Sequence, residues 1–134
     1  MPTTHPPTPA NTEASLPPRR LAEIFLALAL LAEKQPDCAL ETVIHFTPAS
    51  KAEAQSLIHQ ASTLRGPLRR TWQALHEGWL DGVSAYAIYS MTRDLQAEQL
   101  PVIEGVALEA LQRQALELED LIVLMADEIR RVMP

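Results

Sequence analysis

The chain has 134 residues, 47% of them hydrophobic, with four glycines and a formal net charge of −6. This length supports one domain with a real core, the Leu- and Ala-rich composition favours helices, and the charge argues against a general polyanion or membrane-surface binder. The single cysteine, Cys38, excludes an internal disulfide and suits a reducing, cytoplasmic setting.

Residues 1–18 hold six of the eleven prolines together with Thr, Asn and Ser. Such a stretch has too little apolar surface to offset its ordering entropy, so a disordered tail is expected ahead of one helical domain over 19–134. Arg19-Arg20 followed by the mostly apolar run Leu21–Ala32 has the outline of a secretory signal, which makes secretion the competing localisation. Glu23 inside the run opposes that reading. The run is also shorter than the roughly 20 apolar residues a membrane span requires, so no membrane association is expected. The nine consecutive apolar residues Ile24–Ala32 predict burial on more than one face.

A first helix is predicted from Pro18 to Gln35, stopped by Pro36-Asp37, which caps a short helix over Cys38–Phe46 with Leu40, Val43 and Ile44 inward. Thr47-Pro48, or the capping box Ser50/Glu53, opens a third helix carrying Ala54, Leu57, Ile58, Ala61 and Leu64. Gly66-Pro67 is a stop-and-restart signal. The next helix places Leu68, Trp72, Leu75 and Trp79 on one face, which assigns both tryptophans to the core, and Asp81-Gly82 ends it. A fifth helix is predicted over Val83–Gln99, with Ala87, Ile88, Met91 and Leu95 inward and Tyr86 and Tyr89 on its flanks.

From Pro101 onward, Leu108, Leu111, Ala115, Leu118, Ile122, Met125, Ile129 and Val132 recur at alternating steps of three and four. That is a heptad seam, and it predicts one unbroken helix about 48 Å long at 1.5 Å per residue. Asn-Gly or Asp-Gly pairs between alternating runs, the usual hairpin signal, are missing. The fold class is therefore all-α: a helical bundle of five to six helices with one long C-terminal helix. The third and fourth helices, stacked end to end, could line the whole seam inside one subunit; otherwise the protruding turns need a partner, and a second copy with two-fold symmetry is the simplest, which is the favoured reading. Ile122, Met125, Ile129 and Val132 are the residues assigned to that self-association, giving a homodimer.

No catalytic or cofactor motif stands out. Cys38, Glu41 and His45 share a helical face by spacing and raise a metal or activated-thiol reading. Asp37 opposes a thiolate there, and no second ligand pair at a recognised spacing accompanies them, so no metal or cofactor is expected. His59 is a further single histidine that a metal reading would have to recruit. The Glu-x-x-His pattern of di-iron bundles is missing.

The charge distribution is more informative. Between Glu53 and Glu77 the only formal charges are Arg65, Arg69 and Arg70, whereas the last third is acidic. These arginines are assigned to a polar contact with an acidic face, on a neighbouring helix or on another protein. The alternative is a nucleic-acid-associated regulator using the same three residues on phosphates. The resulting expectation is a non-enzymatic interaction module: a small adaptor, regulator or chaperone-like protein.

Overall fold

The structure, a computed structural model, describes residues 17–46 and 50–132. The tail expected over residues 1–18 falls outside the described residues as far as residue 16, as does the Thr47-Pro48 start signal. The described residues form seven helices and no strand: α1 (Pro18–Lys34), α2 (Pro36–Phe46), α3 (Lys51–Arg65), α4 (Arg69–Glu77), α5 (Gly82–Thr92), α6 (Leu100–Arg113) and α7 (Leu118–Val132). They make an all-α helical bundle, with seven helices where the sequence suggested five to six.

Local chemistry explains most of the boundaries. α1 carries proline in its first turn, and its C-terminal end is separated from Pro36 of α2 by Gln35 alone. Ser50 is the N-cap of α3: its hydroxyl accepts the Glu53 N–H at 3.2 Å and donates to the Glu53 carboxylate at 3.1 Å. Gly66 follows α3 and its N–H reaches back to the Ser62 and Thr63 carbonyls. The end of α4 falls earlier than predicted. Gly78, in the left-handed region at φ 91°, closes it, while Asp81 starts α5 by accepting the Ser84 N–H at 2.7 Å.

Packing divides into two groups that meet at α4. α1 packs on α2, α3 and α4, and α7 packs on α5 and α6. α4 also touches α3, α5 and α6. One core runs through both groups, from Leu21, Phe25 and Leu64 through Leu68 and Leu75 to Ile88, Ile103, Leu121 and Met125. The apolar run of α1 buries chiefly one face, with Leu21, Ala22, Phe25 and Ala29 inward, and leaves Ala27 and Leu30 exposed.

The long C-terminal rod is corrected. The helix stops at Arg113, the chain turns extended at Gln114 (φ −153°, ψ 151°), and α7 restarts at Leu118. Neither glycine nor proline marks this break, so local propensity did not make it. Folding back lets Leu121 and Met125 enter the core against α5 and α6 and packs Leu116 beside it. A straight helix would hold those side chains away from the other helices, and burying large apolar side chains at about 1.5–3 kcal/mol each outweighs a few weak propensity terms. The heptad seam is divided accordingly. Leu108 and Met125 are buried, whereas Ala115, Leu118 and Ile122 are exposed.

Candidate functional site

α4 is nine residues long, and groups from other helices hold it at both ends. At its start, Leu68 supplies no side-chain cap. The free N–H of Thr71 is taken instead by the carboxylate of Glu104 on α6, which also accepts the Thr71 hydroxyl, both at 2.8 Å. At its end, the Arg19 guanidinium of α1 donates to the His76 carbonyl at 3.2 Å, the kind of C-terminal contact that satisfies a leftover acceptor. Between these ends, the Trp72 indole N–H donates to the Ala22 carbonyl at 2.8 Å, and its ring stacks on His76 with centroids 5.1 Å apart.

The helix so fixed displays the three arginines differently from one another. Arg65 and Arg69 edge an open cleft of about 270 Å³ whose other lining residues are Leu26, Leu64, Trp72 and Gln73. Arg65 is partly engaged: its Nε lies 3.2 Å from the Glu33 carboxylate of α1. This exposed pair contributes at most about 1 kcal/mol. Arg69 makes no salt bridge among the described residues. Arg70 lies on another side of α4, lining a second, smaller depression with Gln73, Glu77, Trp79, Leu108 and Gln112. One of its guanidinium nitrogens lies 3.1 Å from where a Cβ on Gly105 would stand. The structure thus joins Arg65 to Arg69 and separates Arg70 from that pair.

Glu104 is the residue that sequence reasoning missed. It is 1% exposed, a buried carboxyl on a helix whose neighbouring positions are apolar. Burial pushes its pKa above the ordinary carboxyl range. The Thr71 N–H and hydroxyl act against that rise, as do the nearby Arg70 and Arg69 guanidiniums. A signal was present: from Pro101 to Leu108, Glu104 is the sole charged residue in an otherwise apolar stretch. Trp79 was also misassigned. It is 39% exposed, with its N–H 3.3 Å from Glu77, while Trp72 packs against the core.

The other candidates disperse. Cys38 is exposed and approaches the Thr42 hydroxyl, and among the described residues no group of three or more His, Cys, Asp or Glu side chains is arranged to hold a metal. His59 meets Tyr89 of α5 instead, with Nδ1 and the phenol oxygen 2.5 Å apart. Of the four residues assigned to self-association, Met125 is fully buried within the subunit, Ile129 and Val132 pack against the same core, and Ile122 is 39% exposed. No helix among the described residues is long and apolar enough to cross a membrane. Compared with known protein families, characterised proteins and solved structures, the chain matches none.

Proposed function

We propose that this chain is a non-enzymatic protein-interaction module that docks an acidic segment of another protein, bearing an apolar anchor, in the cleft between Arg65 and Arg69. One observation carries the reading. Arg69, a cation that makes no salt bridge among the described residues, lines a cleft together with Leu26, Leu64 and Trp72. Apolar walls weaken solvent screening of that charge, so a carboxylate seated there is held more strongly than one on open surface.

Nucleic-acid association, the second reading, draws on Arg70 and the exposed Trp79, which line one depression. It is weakened by Glu77 in the same depression, by the net charge of −6 and by the occupation of Trp72 with His76 and Ala22. Fluorescence decides between the two. In a Trp79→Phe background, Trp72 is the remaining tryptophan and reports on the cleft. Titration with a Glu-rich peptide carrying a single Leu or Phe is expected to shift its emission, and Arg69→Glu to abolish the shift. No response to such peptides, together with salt-sensitive retention of oligonucleotides that is lost in Arg70→Glu, would replace this reading with the nucleic-acid one.

A further inference from the structure

We infer that Glu33 is a positioning residue for the cleft: it holds the Arg65 guanidinium by its inner nitrogen, so that the two terminal nitrogens receive a carboxylate of the docked segment end-on, as a bidentate pair. This deepens the cleft reading and rests on it, naming which atoms take the acidic group and what sets them in place.

Arg65 is unlike the other paired arginines. Arg20, Arg113, Arg130 and Arg131 each reach a carboxylate three or four positions away on their own helix, through a terminal nitrogen. Such pairs form wherever the helical spacing occurs. Arg65, the last residue of α3, uses Nε instead, 3.2 Å from the carboxylate of Glu33, 32 positions earlier near the end of α1. Among the described residues it makes the one ion pair between two helices, and its side chain is 38% exposed against 65–75% for the other four. Its Nη1 and Nη2 make no hydrogen bond among the described residues.

A guanidinium is a rigid plane, and its end-on edge, Nη1 with Nη2, matches the two oxygens of a carboxylate. An acceptor on Nε steadies that plane and leaves the end-on edge open. Were Glu33 a stand-in for the docked carboxylate, it would occupy the terminal nitrogens, and it does not. Glu33 follows Leu26 by seven residues, two turns along the same face of α1. One face of α1 therefore supplies both an apolar residue lining the cleft and the anchor for its first cation. An exposed pair biases a side chain toward one arrangement by no more than about fivefold. Glu33 thus tunes the fit of Arg65, while Arg69, which makes no salt bridge among the described residues, carries the charge attraction.

The test uses the full chain in the Trp79→Phe background, where Trp72 emission follows titration with a Glu-rich peptide carrying one Leu. Arg65→Lys keeps the charge and loses the fork, and is expected to weaken binding about tenfold. Glu33→Ala and Glu33→Gln remove the same charge, but only glutamine keeps an oxygen for Nε. Glu33→Gln is therefore expected to bind about threefold more tightly than Glu33→Ala. Both positions are exposed, and helical content and melting of the variants serve as the folding control. Undiminished affinity in Arg65→Lys overturns the inference. So does equal binding by the two Glu33 variants, or tighter binding by Glu33→Ala, which would make Glu33 a competitor for Arg65. In each of these cases the cleft reading stands as long as Arg69→Glu still abolishes the emission shift. No shift in the Trp79→Phe protein itself removes the cleft reading and this inference with it.

Discussion

The carboxylate of Glu104 caps a helix to which it does not belong, accepting both the backbone N–H and the hydroxyl of Thr71 at 2.8 Å. A buried carboxyl is costly by itself. Here the two donors and the nearby Arg70 and Arg69 offset part of that cost, and α4 gains the N-terminal partner that Leu68 cannot supply.

Removing this cap is expected to be expensive. Glu104→Ala leaves the Thr71 donors buried and unpaired, which costs about 2–3 kcal/mol; urea denaturation measures it. Glu104→Gln keeps an acceptor oxygen, loses the charge and is expected to cost far less. The pH dependence has a definite sign. Because the folded-state pKa lies above the ordinary glutamate value, the group's contribution to stability is fully present below that ordinary value and is lost as pH rises through the folded-state pKa. The stability of the native chain relative to Glu104→Gln is therefore expected to fall as pH rises through that window and to level off above it.

Tyr89 gives a parallel effect at the alkaline end. Burial raises its phenol pKa, against the nearby Arg93 charge and a Ser56 hydrogen bond, while Tyr86 adds slightly to the rise. Its contribution to stability is present below the ordinary phenol value and lost as pH climbs through the raised one. Ultraviolet titration is expected to show one tyrosine ionising late, and Tyr89→Phe to remove that step along with the alkaline loss of stability.

Two glycines are expected to respond oppositely to alanine. Gly78→Ala forces a side chain into a left-handed backbone at φ 91° and should destabilise by about 1–2 kcal/mol. Gly105→Ala lies inside α6, where alanine is favoured by about 1 kcal/mol. Its Cβ would press only on the flexible end of Arg70 at 3.1 Å, so the net change is expected to be stabilising, by somewhat less than that. Thermal melting of the two variants distinguishes them.

The two tryptophans are expected to report separately. Trp72→Phe loses the bond to the Ala22 carbonyl, about 0.5–1.5 kcal/mol, and leaves a red-shifted emission from the exposed Trp79. Trp79→Phe should leave stability within about 0.5 kcal/mol of the native value and shift the emission to the blue.

Where a boundary was set by chemistry close in sequence, it could be read in advance. Ser50 with Glu53, Gly66, and the prolines at 18, 36 and 101 all mark helix ends that the structure contains. What stayed hidden depended on tertiary packing. The turn at Gln114–Glu117 is made of good helix formers and exists because Leu121 and Met125 find a core when the chain reverses. The heptad count could not reveal this, since a 3–4 spacing does not say which neighbours are present. The arginine cluster was legible as a charge pattern, but its division into Arg65 with Arg69 on one side and Arg70 on another followed from how α4 is rotated in the bundle.

A nine-residue segment is shorter than the roughly 12–15 residues at which isolated helices begin to persist in water. α4 is steadied by Arg19, 57 positions before its contact at His76, and by Glu104, 33 positions after Thr71. It is therefore the keystone of the assembly and is expected to set late, after the α1–α3 group and the α6–α7 hairpin have formed around it. Substitutions at Thr71 and Ala74 should accordingly hasten unfolding while leaving the refolding rate nearly untouched.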